Sequence, residues 1–432
     1  MWKVTIEGIR CFKTRQEVPL APLTLLVGEN STGKSTFLAV TRILWDLMAS
    51  EVEPNFNEEP FDLGAFDNIA NYTGGRKGRA KSFHIGVEFA NGVSDETQDA
   101  NIRLLATFGE ERGQPAIQRT IVRSGNYRIE ATRAKEAPET VYTVAVGDRE
   151  QRVKWDDAKG PPFPFALKYG MHLFRRNMPP GEKEGAMLSE TEWKALQNLS
   201  MSAFMPRRPR PYAFAPVRTR PKRTYDPRKE TRRPEGEHVP MVLARMVSSS
   251  SEKTAQFAQA LSRFGHACGL FENVKVRRLG PKASDPFQIE VKVWGPAFSL
   301  VDVGYGVSQS LPILVDSLLG EKGQMFLMQQ PEVHLHPRAQ AELGTFLAHL
   351  AKQDDKAFLV ETHSDYLIDR VRMDVRDGIG LRHDQVVILY FQRYGTEVRI
   401  HPLYLDEHGN ILAPPASYRN FFLDEERRFL GA

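Results

Sequence analysis

Sulfur is scarce in this chain: Cys11 and Cys268 are the only cysteines in 432 residues. Two cysteines supply neither a disulfide framework nor a metal-ligand spacing, and a reducing cytoplasm is the simplest setting for them. Apolar runs are short as well. None approaches the roughly 18 consecutive apolar residues of a membrane span, so no membrane association is expected. The opening MWKVTIEGIRCF alternates like a strand and has no signal-peptide h-region. Long heptads, internal repeats and low-complexity tracts are also missing.

What is present describes a globular protein. Hydrophobic residues make up 41% and charged residues 26%, which suits one large domain or two to three smaller ones and excludes a disordered chain. Net charge is +4, unevenly placed. Between Met205 and Arg233 eleven Lys/Arg stand against two acids, a local +9 that leaves about −5 elsewhere. That segment, RRPRPYAFAPVRTRPKRTYDPRKETRR, interleaves arginines with Tyr212, Phe214 and Tyr225. Such interleaving offers phosphate contacts and base stacking to a nucleic acid. A protein partner or a solvated basic face suits Arg207–Arg233 as well. Prolines 206, 209, 211, 216, 221 and 227 argue against a continuous helix there.

Along the chain, alternation over WKVTIEGIRCF and the buried run LTLLV predict two strands. GENSTGKS follows, then TFLAVTRILWDLM with helical spacing. From Lys81 to about Val146, FHIGVEF, IRLLATF, IQRTIVRSGNYRIEA and VYTVAVG read as a mostly antiparallel layer. A helix is expected over SETEWKALQNL, another over EKTAQFAQALSRFGHACGL, and a β-pair over NVKVRRL and FQIEVKVWG. From Ser299 the rhythm is α/β. The division expected is an N-terminal lobe over 1–150, an inserted helical and basic segment over 151–250, and a C-terminal lobe over 251–432.

Gly28–Ser35 matches the phosphate-loop pattern G-x-x-x-x-G-K-[ST] in full, in the strand–loop–helix context the pattern requires. Its glycines let backbone N–H groups wrap phosphates, Lys34 reaches the β/γ-phosphates, and Ser35 offers a hydroxyl to Mg²⁺. The helix beginning near Ser35 turns its positive end to the same anion. Asn30, Ser31, Thr32, Gly33, Lys34, Ser35 and Thr36 are therefore the expected nucleotide contacts, with ATP and Mg²⁺ as cofactors.

Four motifs then occur in order: the phosphate loop, YGVSQ near Tyr305, PEVHLHP after a buried strand, and ETHSD after the next strand. The set resembles the ABC-type ATPase head of the OLD and SMC-like class, over roughly residues 1–75 and 295–432. This group includes ATPases of bacterial anti-phage defence systems. The resemblance implies an α/β ABC-ATPase head with a P-loop core sheet, an antiparallel β-layer and an inserted helical and basic subdomain. It puts Gly306 and Ser308 in the place of the ABC signature, where they would cap the γ-phosphate held by a second subunit. A homodimer or higher homo-oligomer would then be the minimum unit. It puts His363 at the switch-histidine position, toward γ-phosphate or attacking water. His334 and His336 it implies to be packing and dimer-loop residues rather than a metal pair. Arg10 and Phe12 would lie near the nucleotide base, or serve as a surface arginine and a core phenylalanine. FDLGAFDNIANYTGG, with Phe66 and Asn68, falls where a Q-loop belongs but contains no glutamine.

The same resemblance assigns Gln329 to the Walker B position that holds the Mg²⁺ shell and Gln330 to the catalytic carboxylate position. Glutamine hydrogen-bonds water but carries no charge and is not a base. Glu332 is the nearest carboxylate. Tight ATP binding with slow or trapped hydrolysis is expected, with Gln329 either natural or an engineered Glu→Gln change. The function implied is a nucleotide-dependent dimeric sensor or scaffold of an anti-phage system that controls a separately encoded effector, a nuclease by class. The alternative is an SMC-like ATPase that clamps DNA. A transporter subunit is disfavoured because no LSGGQ signature occurs and the β-rich insertion is large.

Overall fold

The computed structural model describes residues 2–49, 53–72, 74–75, 78–90, 101–133, 139–156, 188–204, 208–227, 231–247, 251–418 and 427–428. Two compact units emerge, each assembled from separated stretches of chain. The first holds Met1–Leu20, Glu29–Arg210 and Phe391–Ile400; the second holds Ala21–Gly28, Pro211–Tyr390 and His401–Ala432.

In chain order come β1 (Trp2–Glu7), β2 (Gln16–Leu20), β3 (Leu23–Gly28), α1 (Lys34–Ala49), the short pair β4 (Asn57–Glu58) and β5 (Phe61–Asp62), and the single turn α2 (Phe66–Ile69). The hairpin run follows: β6 (Ser82–Ala90), β7 (Asn101–Glu111), β8 (Gln114–Ser124), β9 (Tyr127–Arg133), β10 (Glu139–Val146) and β11 (Arg149–Asp156). Then come α3 (Glu190–Ala203), β12 (Tyr212–Phe214), α4 (Val239–Val247), α5 (Glu252–Cys268), β13 (Asn273–Arg278), β14 (Phe287–Lys292) and β15 (Ala297–Ser299). The last stretch carries α6 (Tyr305–Leu319), β16 (Met325–Gln329), α7 (Pro337–Asp354), β17 (Ala357–Glu361), α8 (Asp365–Arg376), β18 (Val386–Tyr394) and β19 (Glu397–Tyr404).

The first unit is built on an eight-stranded sheet ordered β11-β10-β9-β8-β7-β6-β1-β2. Its pairings are antiparallel, so hairpins connect it and the alternating residues line one packed face. The sequence reading stopped this layer at Val146. The sheet runs on through β11 and recruits β1 and β2. An aromatic cluster forms its core: Phe83 stacks on Phe108 at 5.2 Å and on Phe66 at 5.6 Å, with Phe56 edge-on to both Phe83 and Phe108. Helix α3 opens with a capping box in which Ser189 and Glu192 each satisfy the other's backbone N–H.

The second unit carries the parallel core. The six-stranded sheet runs β12-β16-β17-β3-β18-β19, with β12, β16, β17 and β3 mutually parallel. Parallel strands buried on both faces explain the runs MFLMQ, AFLVE and LTLLVG, which do not alternate with polar residues. Phe214, Phe326 and Phe358 stack in a column across three of these strands, at 5.9 and 5.2 Å. Helix α5 ends at Gly269 in the left-handed region, φ 71°, as the glycine after the periodic run predicts. Among the described residues no helix is long and apolar enough to cross a membrane.

Candidate nucleotide site

Strand β3 leaves the parallel sheet at Gly28 and the chain enters the phosphate loop. Three residues there have positive φ: Gly28 at 142°, Ser31 at 61° and Gly33 at 88°. A Cβ at Gly33 would lie 2.7 Å from Cys11 Sγ and 2.7 Å from Phe12 Cζ, so this glycine is required by space and by backbone at once. Lys34 is 3% exposed, and its ammonium turns back to donate to the Glu29 carbonyl at 2.8 Å. The Thr32 hydroxyl donates to the same oxygen at 2.8 Å. Asn30 and Ser31 are exposed and Ser35 is half-buried. Helix α1 begins at Lys34 with no acidic residue in its first turn, so no carboxylate there offsets the positive end of its dipole. Arg393 donates to the Ser31 carbonyl across the loop's outer side.

Phe12 takes the core role weighed for it, whereas Arg10 is half-buried and not a surface arginine. Phe12 is fully buried against Phe391. Arg10, at φ 45°, donates to Thr36 Oγ1 at 3.0 Å, the Leu63 carbonyl at 3.1 Å and the Asn68 carbonyl at 3.2 Å. It braces the first turn of α1 against the 63–71 stretch. Burial lowers its pKa from the ordinary arginine value, against the pull of Cys11 and Asp62.

In the second unit the other motifs gather at the carboxyl ends of the parallel strands, where α/β sheets place their ligands. Gln329 closes β16 in register with Glu361, which closes β17. Gln330, at φ 43°, donates its N–H to the Glu361 carbonyl at 2.8 Å and turns the chain away. Glu332 does not face solvent. It is 5% exposed, and its Oε1 accepts from the Thr362 hydroxyl and the His363 N–H, both at 2.8 Å. The Ser364 N–H donates to Thr362 Oγ1 at 3.0 Å, so the hydroxyl accepts from one side and donates to Glu332 on the other. Glu332 therefore sets the backbone on which the exposed His363 is presented. Burial pushes its carboxyl above the ordinary range, opposed by those two donors and by Arg218.

Arg218 belongs to the basic segment yet is 2% exposed. Its Nη1 donates to the Gln309 carbonyl at 3.3 Å, and burial pushes the guanidinium down to about 10, with Glu332 pulling the other way. Nε and Nη2 of Arg218, Oε2 of Glu332 and Nε2 of Gln309 are buried without a hydrogen-bond partner. Charge pattern alone reads both residues as surface groups, because their burial is not a matter of composition.

Gly306 and Ser308 open α6, as expected. A Cβ at Gly306 would lie 2.7 Å from the His334 carbonyl, so this glycine lets α6 approach the loop after β16. The Ser308 hydroxyl donates to the Tyr305 carbonyl at 2.9 Å. His334, at φ 70°, packs edge-on against Tyr305 at 4.9 Å. His336 caps α7, its Nδ1 accepting from the Arg338 N–H at 3.3 Å. Among the described residues no group of three His, Cys, Asp or Glu is arranged to hold a metal. A magnesium ion held chiefly by nucleotide phosphates needs few protein ligands, so a single hydroxyl such as that of Ser35 suits that ion where an all-protein cage is not built.

The aromatic residues of the basic segment pack in or against the core. Phe214 is fully buried. Tyr225 stacks on Phe287 at 5.7 Å, and Tyr212 lies under the Arg232 guanidinium at 3.7 Å. Arg223 pairs with Asp302, and Arg232 joins His238 on Asp316. In the first unit Arg210 pairs with Asp46 and Glu58. Phe214 is thereby withdrawn from base stacking, while Tyr212 and Tyr225 are half-buried and pack against the core. Arg207, Arg228 and Lys229 lie outside the described residues.

Residues 274–369 match the family described as "AAA domain, putative AbiEii toxin, Type IV TA system". This is less than a quarter of the chain and lies within the second unit. No curated protein matches. Solved structures that resemble the chain include an SMC head domain from Thermotoga maritima, at 12% identity and TM-score 0.40, covering 93% of this chain and 97% of that one. Another is an Smc head domain with an extended coiled coil from Pyrococcus furiosus, bound to the C-terminal domain of ScpA. It matches at 10% identity and TM-score 0.43, over 99% and 100% of the two chains.

Proposed function

We propose that this chain is an ATP-binding ABC-type ATPase subunit in which nucleotide holds two copies together, with hydrolysis slow or arrested. The phosphate loop carries the reading. Three positive-φ residues, a lysine turned into the loop and a helix start with no acidic residue in its first turn make a cradle for a polyphosphate. Bound magnesium would supply charge neutralisation at the phosphates. Lys34 would bind phosphate, Ser35 would offer its hydroxyl to the ion, and His363 would meet the terminal phosphate or the water near it. Gln329 and Gln330 hydrogen-bond and orient water but take up no proton. The missing base argues for a bound state that persists.

In the cell the subunit acts as a sensor or scaffold of an anti-phage defence system and controls a separately encoded effector of nuclease type. The AbiEii and toxin–antitoxin wording of the matching family supports this role. DNA clamping draws less support, since Phe214 is buried and Tyr212 and Tyr225 are engaged with Arg232 and Phe287.

ATP hydrolysis and ATP-dependent mass, compared with Gln329→Glu, test the proposal. Turnover in Q329E and a stable ATP-bound assembly of the unaltered chain are expected, with Lys34→Ala abolishing binding and Ser308→Ala weakening assembly. An S308A protein that assembles normally with ATP would end the two-subunit site. If both proteins bind ATP and neither turns over, ATP is a sensing ligand only.

A further inference from the structure

Two opposite charges are buried in the second unit, and each holds a different piece of backbone. Arg218 Nη1 donates to the Gln309 carbonyl at 3.3 Å, one residue past Ser308 near the start of α6. Glu332 Oε1 accepts from the Thr362 hydroxyl and from the N–H of His363, both at 2.8 Å. Arg218 Nε and Nη2 and Glu332 Oε2 are buried without a hydrogen-bond partner, so the pair is linked by charge and not by a shared hydrogen bond. Glu332 pulls the guanidinium up against burial, and Arg218 pulls the carboxyl down. The start of α6 is also seated on the turn that carries Glu332. A Cβ at Gly306 would lie 2.7 Å from the His334 carbonyl, the Tyr305 ring packs edge-on against His334 at 4.9 Å, and the Leu335 N–H donates to the Glu332 carbonyl at 3.0 Å. A buried ion that loses its partner is far more costly than the pair, so displacing either residue penalises the other.

We infer that Arg218 is a positioning residue that couples α6 to His363: it holds the Gln309 carbonyl and gives the buried Glu332 carboxylate its counter-charge, and Glu332 holds the His363 backbone. This rests on the reading in which Gly306 and Ser308 of α6 meet the nucleotide of a second copy and His363 meets a phosphate. Assembly at α6 is then felt at His363 through Arg218 and Glu332, and by linkage the state of His363 is felt at α6. The basic segment thereby has a role inside the protein: one of its arginines carries information between two nucleotide-facing elements of the same unit.

Hydrogen exchange followed by mass spectrometry on the full chain tests this, first without nucleotide. Peptides over 360–366 report on the His363 backbone, and peptides of α7 report general loosening. Arg218→Met removes the charge and keeps an apolar stem. Exchange over 360–366 should quicken about 10–100-fold relative to α7. In a Glu332→Gln background the same change should add less than about threefold, because no buried carboxylate is then left unpaired. Equal effects in the two backgrounds, or equal loosening of α7, would make Arg218 a packing residue and overturn the inference. Should R218M not fold, E332Q is read at the other end. It strands the Arg218 cation, so peptides over 305–312 should quicken by a similar factor relative to α7, and no change there overturns the coupling. A non-hydrolysable ATP analogue is then added, with its binding followed by calorimetry. It should slow exchange over 360–366 at least about fivefold more in the unaltered chain than in R218M, and equal slowing would overturn the coupling. If the unaltered chain binds no analogue, the nucleotide reading fails, while the exchange cycle without nucleotide still decides whether Arg218 positions His363 through Glu332.

Discussion

Removing Glu332 should loosen the segment that presents His363, and the size of the effect follows from its contacts. Glu332 Oε1 accepts from the Thr362 hydroxyl and the His363 N–H, each at 2.8 Å. Hydrogen bonds to charged groups contribute about 1.5–3 kcal/mol each, so two give about 3–6. The raised carboxyl shows that burial takes part of this back. A net loss of about 2–5 kcal/mol is expected for Glu332→Ala, since the fully buried Thr362 hydroxyl is left without its acceptor. For a unit of 150–250 residues this lowers the melting temperature by about 4–20 °C. Glu332→Gln retains an acceptor oxygen and should recover most of it. The two variants also differ with pH. A carboxyl raised in the folded state contributes stability that is full below its unfolded pKa, about 4.3, and is lost as pH rises through the folded value. The melting gap between E332Q and the unaltered chain should therefore move in the variant's favour as pH climbs from about 4. Thermal melts by circular dichroism across that range decide it. An E332A protein melting within about 1 °C of the unaltered chain at neutral pH would refute the reasoning.

Two further substitutions probe required glycines. Gly33→Ala forces a left-handed residue, costing roughly 1–2 kcal/mol, and drives a methyl into Cys11 and Phe12 for roughly 1–3 more. Lower melting and loss of nucleotide-analogue binding are expected, and unchanged calorimetric affinity would contradict the loop geometry. Gly306→Ala meets the His334 carbonyl at 2.7 Å in an ordinary helical backbone, so α6 or the following loop must shift. ATP-dependent assembly, followed by light scattering, should weaken more than nucleotide binding does; equal losses would count against a role for that approach.

The elements with strong local signals were legible from the sequence. A glycine loop between a buried run and a 3.6-residue pattern reads as a phosphate loop without any tertiary knowledge, because backbone conformation and anion chemistry are local. Helix α5 with Gly269 after it, and the β13–β14 pair, are legible for the same reason. The exact seat of the charges was not. RRPRPYAFAPVRTRPKRTYD reads as a basic, aromatic surface, yet packing and ion pairing engage its rings and part of its charge, and those contacts depend on residues far along the chain such as Phe287 and Asp302. Glu332 and Arg218 look like surface residues in one dimension. Only the packing of the turn after β16 against Thr362 and His363 takes Glu332 out of water. The pairing of Gln329 with Glu361 is likewise tertiary: 32 positions separate them, and strand register, set by the apolar faces of β16 and β17, makes them neighbours.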